Sequence, residues 1–470
     1  MSVSNFGVTA DTGRVGSGSD LASVKSEEIA FVLRRPPDTD KPDSYDIYSL
    51  KEETGQLGPS FNLSRIQSTC APQHPSISQG VPEYLQSGPS RHLHVVVSIG
   101  SGTGLALKFY NSVLRIILRD LGIHALEQSA DLTERSKSGV YNLVITQRAN
   151  TIRNFASELG SPSQATFQHT IILLSGDGGV VDFLNARPPA EEPANLPLIA
   201  ILPLGTGNAH FHSQHKLANE IPEFPEPSSL VRGLRTLFNG KAAPLPSFKA
   251  EFPPGSQTIT YESSDTGGGC VSDEVSYLYG GIVASYGFHS QLVWESDTPE
   301  YRKFGAERFK MVGQQLLKKS HPYKAVVEFS AEDGSHLQRL DRDRHAYILI
   351  AMVSNLEKTF TISPSSKPLD GQLRLVHFGV VGGKKTMEIM MQAYNGGKHV
   401  DMKWTTDDGK EEGVGYDKAR VVKITTLEED DRWRKVCIDG TIVELPPGGT
   451  MTVKTEDKSR LQVLVDRSVA

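Results

Sequence analysis

Residues 171–185 read IILLSGDGGVVDFLN. Four apolar residues end in a serine, an aspartate stands between two glycines, and a second apolar stretch begins at once. Glycine lets another molecule approach the main chain closely. A charge placed between two of them, at the end of a buried strand and the start of a helix, is positioned to face something outside the core.

The neighbouring sequence repeats this strand-to-helix rhythm. HLHVVVSI from His92 predicts a buried strand, followed by GSGTG and an amphipathic helix over LALKFYNSVLRIILRDLG. Leu107, Val113, Leu114, Ile117 and Leu118 recur there at near-helical spacing. YNLVITQ predicts a strand, TIRNFASELG a helix ending on glycine, TIILLSG a strand, GVVDFLNA a helix and LIAILPLG a strand. Alternating strands and helices imply a parallel sheet covered on both faces. The predicted fold class is α/β: a nucleotide-binding parallel-sheet domain over 92–238, followed by a mostly antiparallel β-sandwich over 239–470. In that second half, helices are predicted only near 300–318 and 383–394. Residues 1–27 are expected to be disordered. Residues 28–91 are expected to hold two short strands, with 53–91 as a linker or irregular covering. SSDTGGGCVSDEV is expected to be a flexible insertion.

The bulk composition narrows the classes of function. The chain has 470 residues, 38% apolar and 22% charged, with a formal net charge of −6. That size supports two or three domains. The acidic balance and the lack of a basic block argue against nucleic acid as the main partner. Cysteines at 70, 270 and 437 form neither a disulfide framework nor a zinc spacing. The N-terminus does not resemble a secretory signal, and no apolar run approaches the ~20 residues of a membrane span. The expected location is cytoplasmic.

Three glycine loops each follow an apolar strand: GSGTG (100–104), SGDGG (175–179) and LGTGN (204–208). In open α/β sheets, ligands bind at the carboxyl ends of the strands. Bare backbone N–H groups and helix N-termini there suit phosphate. The G-x-G-x-x-G spacing is absent, and no Gly-Lys-Ser/Thr opens a helix. The sheet is therefore expected to bind a nucleotide by another arrangement.

SGDGG, then PLGTGN about 30 residues on, then a β-rich half with SPSSKPLDGQLRLV and a late VCIDGT, resemble the diacylglycerol kinase catalytic-domain superfamily. That superfamily includes sphingosine, ceramide and bacterial-type diacylglycerol kinases. GFHSQLVWESDTPEYRKFGAERF is most similar to the sphingosine and ceramide branch. The resemblance spans roughly residues 92–467 and implies an ATP-dependent lipid kinase using Mg²⁺, with peripheral membrane contact, and it allows a homodimer. It implies that Asp177 is the general base. It also implies nucleotide contacts for Gly102, Gly104, Thr146, Gly176, Gly178, Gly205, Thr206, Gly207, Asn208, Arg302, Arg308 and Asp439. Asp182 stands where the family usually has glutamate.

The chain also departs from the family pattern. Ser98-Ile99 replaces an opening Asn-Pro, and the first loop has no Lys or Arg. Thr441 replaces the glutamate of Asp-Gly-Glu, and a hydroxyl is no substitute for a carboxylate at a metal or ribose. Gln291 lies where sphingosine and ceramide kinases carry a head-group aspartate, which disfavours a cationic sphingoid base. Residues 128–141 look like an insertion. Two alternatives follow: a catalytically inactive nucleotide- or lipid-binding member, and a soluble-substrate kinase of the NAD kinase type. His210, His212 and His215 raise a weaker metal reading, with His212 and His215 able to share one helical face.

Overall fold

The computed structural model describes residues 15–16, 24–35, 43–55, 58–70, 72, 74, 76–102, 104–126, 134, 137–186, 195–216, 225–261, 270–305, 307–331, 336–406 and 409–469. Most of 1–27, residues 187–194 and 217–224, most of the expected insertion 128–141 and the first half of SSDTGGGCVSDEV lie outside that description. The disorder expected for the N-terminus therefore falls largely on residues not described.

A seven-stranded sheet carries the glycine loops. Its order is Lys241–Pro244, Gln462–Val465, Leu198–Pro203, Gln168–Ser175, Arg91–Val97, Val140–Ile145, His124–Ala125. All neighbours run parallel except Lys241–Pro244 against Gln462–Val465. The central strands are apolar on both faces, as a sheet covered twice requires. Val95, Val97, Ile172, Leu174, Ala200 and Leu202 face one core. Val96, Ile171, Leu173 and Ile199 face the other. The first core is closed by the helical run 106–120, whose Tyr110–Leu114 turn is π-helical, and by the helix Ser229–Asn239. The helices Thr151–Leu159 and Asp177–Ala186 close the second.

The segment before this sheet is more ordered than its sequence predicts. Ser44–Gly55 and Gly58–Ser68 pair along their whole length, and Ile29–Arg35 adds to them. With Val15–Gly16 and Ile77–Ser78 they make a five-stranded sheet. It is fastened to the helix Ser229–Asn239, where Phe31 stacks on Phe238 at 3.7 Å. Arg235 there donates to the carbonyls of Ile29 (2.9 Å) and Ser26 (2.8 Å). Asp46, 1% exposed, accepts from Arg65 at 3.0 Å and from Arg35. Part of the stretch expected as linker is thus a strand over the first core.

The β-rich half forms two large antiparallel sheets and a two-stranded ribbon, Lys403–Thr405 against Glu411–Gly413. One large sheet runs Tyr277–Gly280, Phe248–Glu251, Thr450–Thr455, Val421–Thr426, Tyr323–Ser330, Gln338–Arg339. The other runs Cys270–Glu274, Gln257–Tyr261, Thr441–Glu444, Lys435–Ile438, Val283–Gly287, Tyr347–Ala351, Leu373–Phe378, Gly415–Ala419. Phe248, Val422, Ile424 and Val453 of the first share a core with Tyr286, Ile348, Leu375 and Val436 of the second. The outer face of the second sheet is covered by the helix Gly382–Ala393, through Ile389.

Four local expectations change. The C-terminal strand Gln462–Val465 and the strand Lys241–Pro244 belong to the parallel sheet rather than the sandwich, so the boundary near 239 is crossed twice. Cys270–Glu274, expected in a flexible insertion, pairs with Gln257–Tyr261. Phe288–Ser296 is a helix that the sequence reading left out. Helix 300–318 is interrupted, splitting into a single helical turn, Pro299–Arg302, and the helix Glu307–Lys319.

Candidate active site

The three glycine loops follow the carboxyl ends of adjacent parallel strands and meet there. The first has Gly102 at φ +44°, where a Cβ would lie 2.5 Å from the carbonyl carbon of Gly205 and the nitrogen of Thr206. A Cβ on Gly205 would lie 2.3 Å from the Gly176 Cα. Real side chains never come so close, so backbone touches backbone because these positions lack side chains. Polar contacts pin the same junction. Ser101 Oγ accepts the Gly176 N–H at 2.8 Å. Thr146 Oγ1 accepts the Ile99 N–H at 3.0 Å, while the Thr146 N–H donates to the Val97 carbonyl at 2.9 Å. Thr146, expected beside the nucleotide, is thus the residue that ties the first loop to the strand Val140–Ile145.

The third loop closes on itself. Asn208 adopts the left-handed region at φ 56°, ψ 48°. Its Oδ1 accepts the Gly205 N–H at 2.9 Å, and its Nδ2 donates to the Gly205 carbonyl at 3.0 Å. Thr206 is left exposed at the tip, and Gly207 packs under the Leu356 carbonyl. Gly104 and Gly178 have open space around them.

Asp177 is the first residue of the helix Asp177–Ala186. Its Oδ2 accepts the Ala209 N–H at 2.7 Å and its Oδ1 the His210 N–H at 3.0 Å. These are donors at the start of the helix Ala209–Gln214, which would otherwise have no partner within the helix. One carboxylate therefore caps the helix that follows the third loop. A carboxylate offers about four acceptor positions, so each oxygen keeps one for another ligand. Asp182, a little over one turn later, faces Arg153 at 3.3 Å, and burial raises its pKa.

The β-rich half reaches this junction through His210. Its imidazole is buried, and a Cβ on Gly281 would lie 2.8 Å from its Cε1. Burial lowers the pKa of His210, against the pull of the nearby Asp177 charge. The backbone N–H groups of Gly281, Ile282 and Val283 converge on Asp439, the shortest contacts being 2.6, 3.0 and 2.6 Å. Asp439 itself sits at φ 47°. Burial pushes its carboxyl up to about 7, against those three donors, and the Asp177 charge adds to the rise. Asp439 has its acceptor positions filled by main chain and acts as a strut between the sheets. A cavity of about 20 Å³, room for roughly one water, lies against His210, Gly281, Met352 and Leu369. It is far too small for an acyl chain.

Among the described residues, Arg302 and Arg308 form no hydrogen bond or ion pair with the glycine loops. Both turn to Asp297: Arg302 at 2.7 and 3.1 Å, Arg308 at 3.5 Å. Arg302 also donates to the Tyr261 carbonyl at 3.1 Å. Gln291 is buried and donates to Glu295 at 2.6 Å, and Glu295 accepts from Arg432 at 2.7 Å. The position marked for head-group contact is thus the inner end of a Gln–Glu–Arg chain. Sequence reasoning missed Asp297, Glu295 and Arg432 as partners. Gln291–Glu295 is an i,i+4 pair within the helix Phe288–Ser296 and Asp297 lies five residues before Arg302, so both were open to a local reading, whereas the pairing of Glu295 with Arg432 joins segments far apart in the chain.

The metal reading of HFHSQH is not supported. His215 is half-buried and stacked on Phe211, with Nδ1 on the Phe211 carbonyl and Nε2 on Thr236 Oγ1, both at 2.8 Å.

What remains is a cradle of bare backbone at the ends of parallel strands with one carboxylate, Asp177, at its centre. Residues 93–232 match the family described as the diacylglycerol kinase catalytic domain. That stretch is what resembles a diacylglycerol kinase catalytic domain. Among curated proteins, none matches the chain. Solved structures with a similar course include a diacylglycerol kinase from Bacillus anthracis strain Sterne, at 13% identity and TM-score 0.47. Two further proteins of that strain, described as candidate diacylglycerol kinases, match at 12% and 14% identity, each with TM-score 0.49. Each comparison covers 81% of this chain and 98% of the other. A diacylglycerol kinase catalytic domain implies ATP use, ordinarily with a divalent metal ion. The cradle fits that group in its bare backbone: the glycines at 102, 176 and 205 let the three loops close on one another without side chains, with the Gly176 and Gly205 N–H groups held by Ser101 Oγ and Asn208 Oδ1, so the phosphates would be met by the remaining loop N–H groups and the helix N-termini. Asp177 is the carboxylate there with acceptor capacity left for a metal ion.

Proposed function

We propose that the protein is an ATP-dependent lipid kinase that phosphorylates a lipid hydroxyl, with Asp177 as general base. The observation that carries this reading is the Asp177 carboxylate, held by two backbone N–H groups where the three glycine loops meet. Phosphoryl transfer depends on positioning and charge stabilisation, with one group orienting the nucleophile. Here the loops would hold the phosphates of ATP, and Mg²⁺ would supply charge on the transferred group. Asp177 would take the hydroxyl proton as the lipid oxygen bonds to the γ-phosphorus and the bond to the β-phosphate oxygen breaks, releasing ADP. The caps from Ala209 and His210 fix the carboxylate in one orientation, which is what a positioned base requires. Arg302 and Arg308 are the cations this reading assigns to the phosphates, with Asp297 holding them as a pair.

A neutral acceptor fits better than a cationic amine. Gln291 brings no counter-charge of its own, and Glu295 behind it is already matched by Arg432. Access to a lipid surface is supported by the helix Gly382–Ala393. Met387, Met391 and the following Tyr394 are 41%, 52% and 45% exposed, flanked by exposed Lys384 and Lys398. An apolar stripe bordered by lysines suits peripheral contact with an anionic membrane. No helix among the described residues is long and apolar enough to cross one.

A second reading, a nucleotide-binding member without transferase activity, is favoured by the engagement of both arginines with Asp297 and by Thr441 in place of a carboxylate. The test is transfer of labelled phosphate from ATP into a total lipid extract, with the product identified by mass. Incorporation into a hydroxyl lipid supports the kinase; ATP binding without incorporation supports the second reading.

A further inference from the structure

We infer that His92, His94 and His169 form a binding site for a zinc-like divalent transition metal, at the opposite end of the parallel sheet from the glycine loops. His92 and His94 stand near the start of Arg91–Val97 and His169 near the start of Gln168–Ser175. Strand residues two apart point to the same face, and His92 pairs in register with His169. The three imidazoles therefore share one face of two adjacent central strands. They are 1%, 1% and 3% exposed, and one ligand nitrogen from each lies within 4.8 Å of the others.

The spacing within the cluster suits a metal. His94 Nε2 and His169 Nδ1 are 3.1 Å apart. Two nitrogens bound to a tetrahedral zinc at about 2.0–2.1 Å lie about 3.4 Å from each other, so a slight opening admits the ion. His169 is also set up as a ligand from behind. Its Nε2 lies 2.9 Å from the Gln164 carbonyl, so Nε2 donates and Nδ1 carries the lone pair turned toward His94. A ligating histidine whose far nitrogen donates to a carbonyl is the usual outer-shell arrangement of zinc sites. His94 then holds its proton on Nε2 in the metal-free protein. Metal binding needs only its transfer to Nδ1, with no net change in charge on the ring.

The surroundings complete the site. Phe167 stacks on His92 at 4.2 Å and Phe155 lies edge-on to His94 at 5.2 Å, which fixes both rings and keeps bulk water away. Gln164, whose carbonyl holds His169, carries a buried side-chain Oε1 with no hydrogen-bond partner among the described residues. A cation, or a water bound to one, would satisfy it. No acidic residue belongs to the cluster, and neutral imidazole is the ligand type that favours zinc, copper or nickel over magnesium. Such an ion would tie the starts of two central strands together, a structural role independent of the transfer chemistry at the other end.

The test uses the full-length protein, stripped with a chelator and titrated with Zn²⁺ and with Co²⁺. The expected result is one equivalent bound and a higher melting temperature. The cobalt form should show the visible bands of a nitrogen-ligated, near-tetrahedral ion without a thiolate charge-transfer band. His94→Gln and His169→Gln should each weaken zinc binding by at least about a hundredfold. His124→Gln, at an exposed histidine on an edge strand, should leave binding unchanged. Should the His94 and His169 variants fail to fold, the wild-type cobalt spectrum and stoichiometry decide alone. A stripped protein that melts at the same temperature with and without zinc and binds no stoichiometric cobalt would overturn the inference. The triad would then be a hydrogen-bonded packing cluster. Phosphoryl transfer is read separately, so failure here leaves the kinase reading standing, and the reverse.

Discussion

The Asp177 carboxylate and the His210 backbone N–H are 3.0 Å apart, and this bond joins the second glycine loop to the helix that follows the third. With the 2.7 Å bond to Ala209, it makes Asp177 both the charged group at the cradle and the cap of the next helix. His210 then carries the connection onward, because its ring packs against Gly281 and the Gly281 N–H belongs to Asp439. Structure and proposed chemistry thus share one residue. A substitution at 177 must be judged on both.

The backbone contact between the loops leaves no room for a side chain. Gly205→Ala places a Cβ against the Gly176 Cα, and neither backbone can yield without moving a loop. ATP affinity should fall by at least about tenfold, because the N–H groups that face phosphate lose their arrangement. Gly88→Ala, where a Cβ meets nothing and which lies outside the three loops, should bind ATP as the wild type does. Nucleotide titration by calorimetry compares the two.

Arg308→Ala should weaken ATP binding by about tenfold, in line with a charged hydrogen bond worth roughly 1.5–3 kcal/mol. It should leave the fold intact, since the contact it loses is a part-exposed pairing with Asp297 at 3.5 Å. Equal ATP affinity in variant and wild type would mean that Asp297 keeps this arginine away from the nucleotide throughout.

Stability should fall as the medium is acidified from about pH 6.5 toward 4. Burial lowers His212, His215, His289, His345 and His399 from 6.5 to about 4. Between those values the unfolded chain binds protons that the folded chain does not, so unfolding gains as pH drops. The contribution is full above pH 6.5 and is lost once the medium passes below the folded values. Thermal melts across that range read the slope, and His215→Gln should make it shallower by removing one of these groups.

Met391→Glu should reduce binding to vesicles of phosphatidylserine and phosphatidylcholine, measured by co-sedimentation, with no change in melting temperature. Met391 is 52% exposed on the helix Gly382–Ala393, so the folded protein loses little by the change. Unchanged vesicle binding would place any membrane contact elsewhere.

The glycine loops and their strands were legible because both signals are local. A buried parallel strand is a continuous apolar run, and a glycine cluster at its end needs no distant partner to be noticed. The N-terminal hairpin was not. Gly58–Ser68 alternates exposed and half-buried residues, with only Phe61 and Ile66 fully inward, so its polar face reads as a linker. The return of Gln462–Val465 to the parallel sheet was hidden for another reason. Three apolar residues after Gln462 make a strand, but which sheet receives them depends on Leu198 and Ile199, more than 260 residues away. The role of Thr146 was half visible: its position near the loops was right, while its hydroxyl turned out to serve the Ile99 N–H. Arg302 and Arg308 carried the charge that phosphates require, and Asp297, only five residues before Arg302, was the acidic partner overlooked.

The most direct measurement is phosphoryl transfer from labelled ATP by wild type and Asp177→Asn, side by side, across a panel of neutral hydroxyl lipids with Mg²⁺ or Mn²⁺. The substitution is nearly isosteric, but an amide can accept only one of the two N–H bonds at this cap. A stability loss of about 1 kcal/mol is expected, and circular dichroism with ATP titration should show the variant folded and still binding nucleotide. Transfer by the wild type should exceed that of the variant by about two to four orders of magnitude, the usual contribution of a positioned base. Equal transfer by the two folded, ATP-binding proteins, on every lipid of the panel, would contradict the assignment of Asp177 as the base of a lipid kinase.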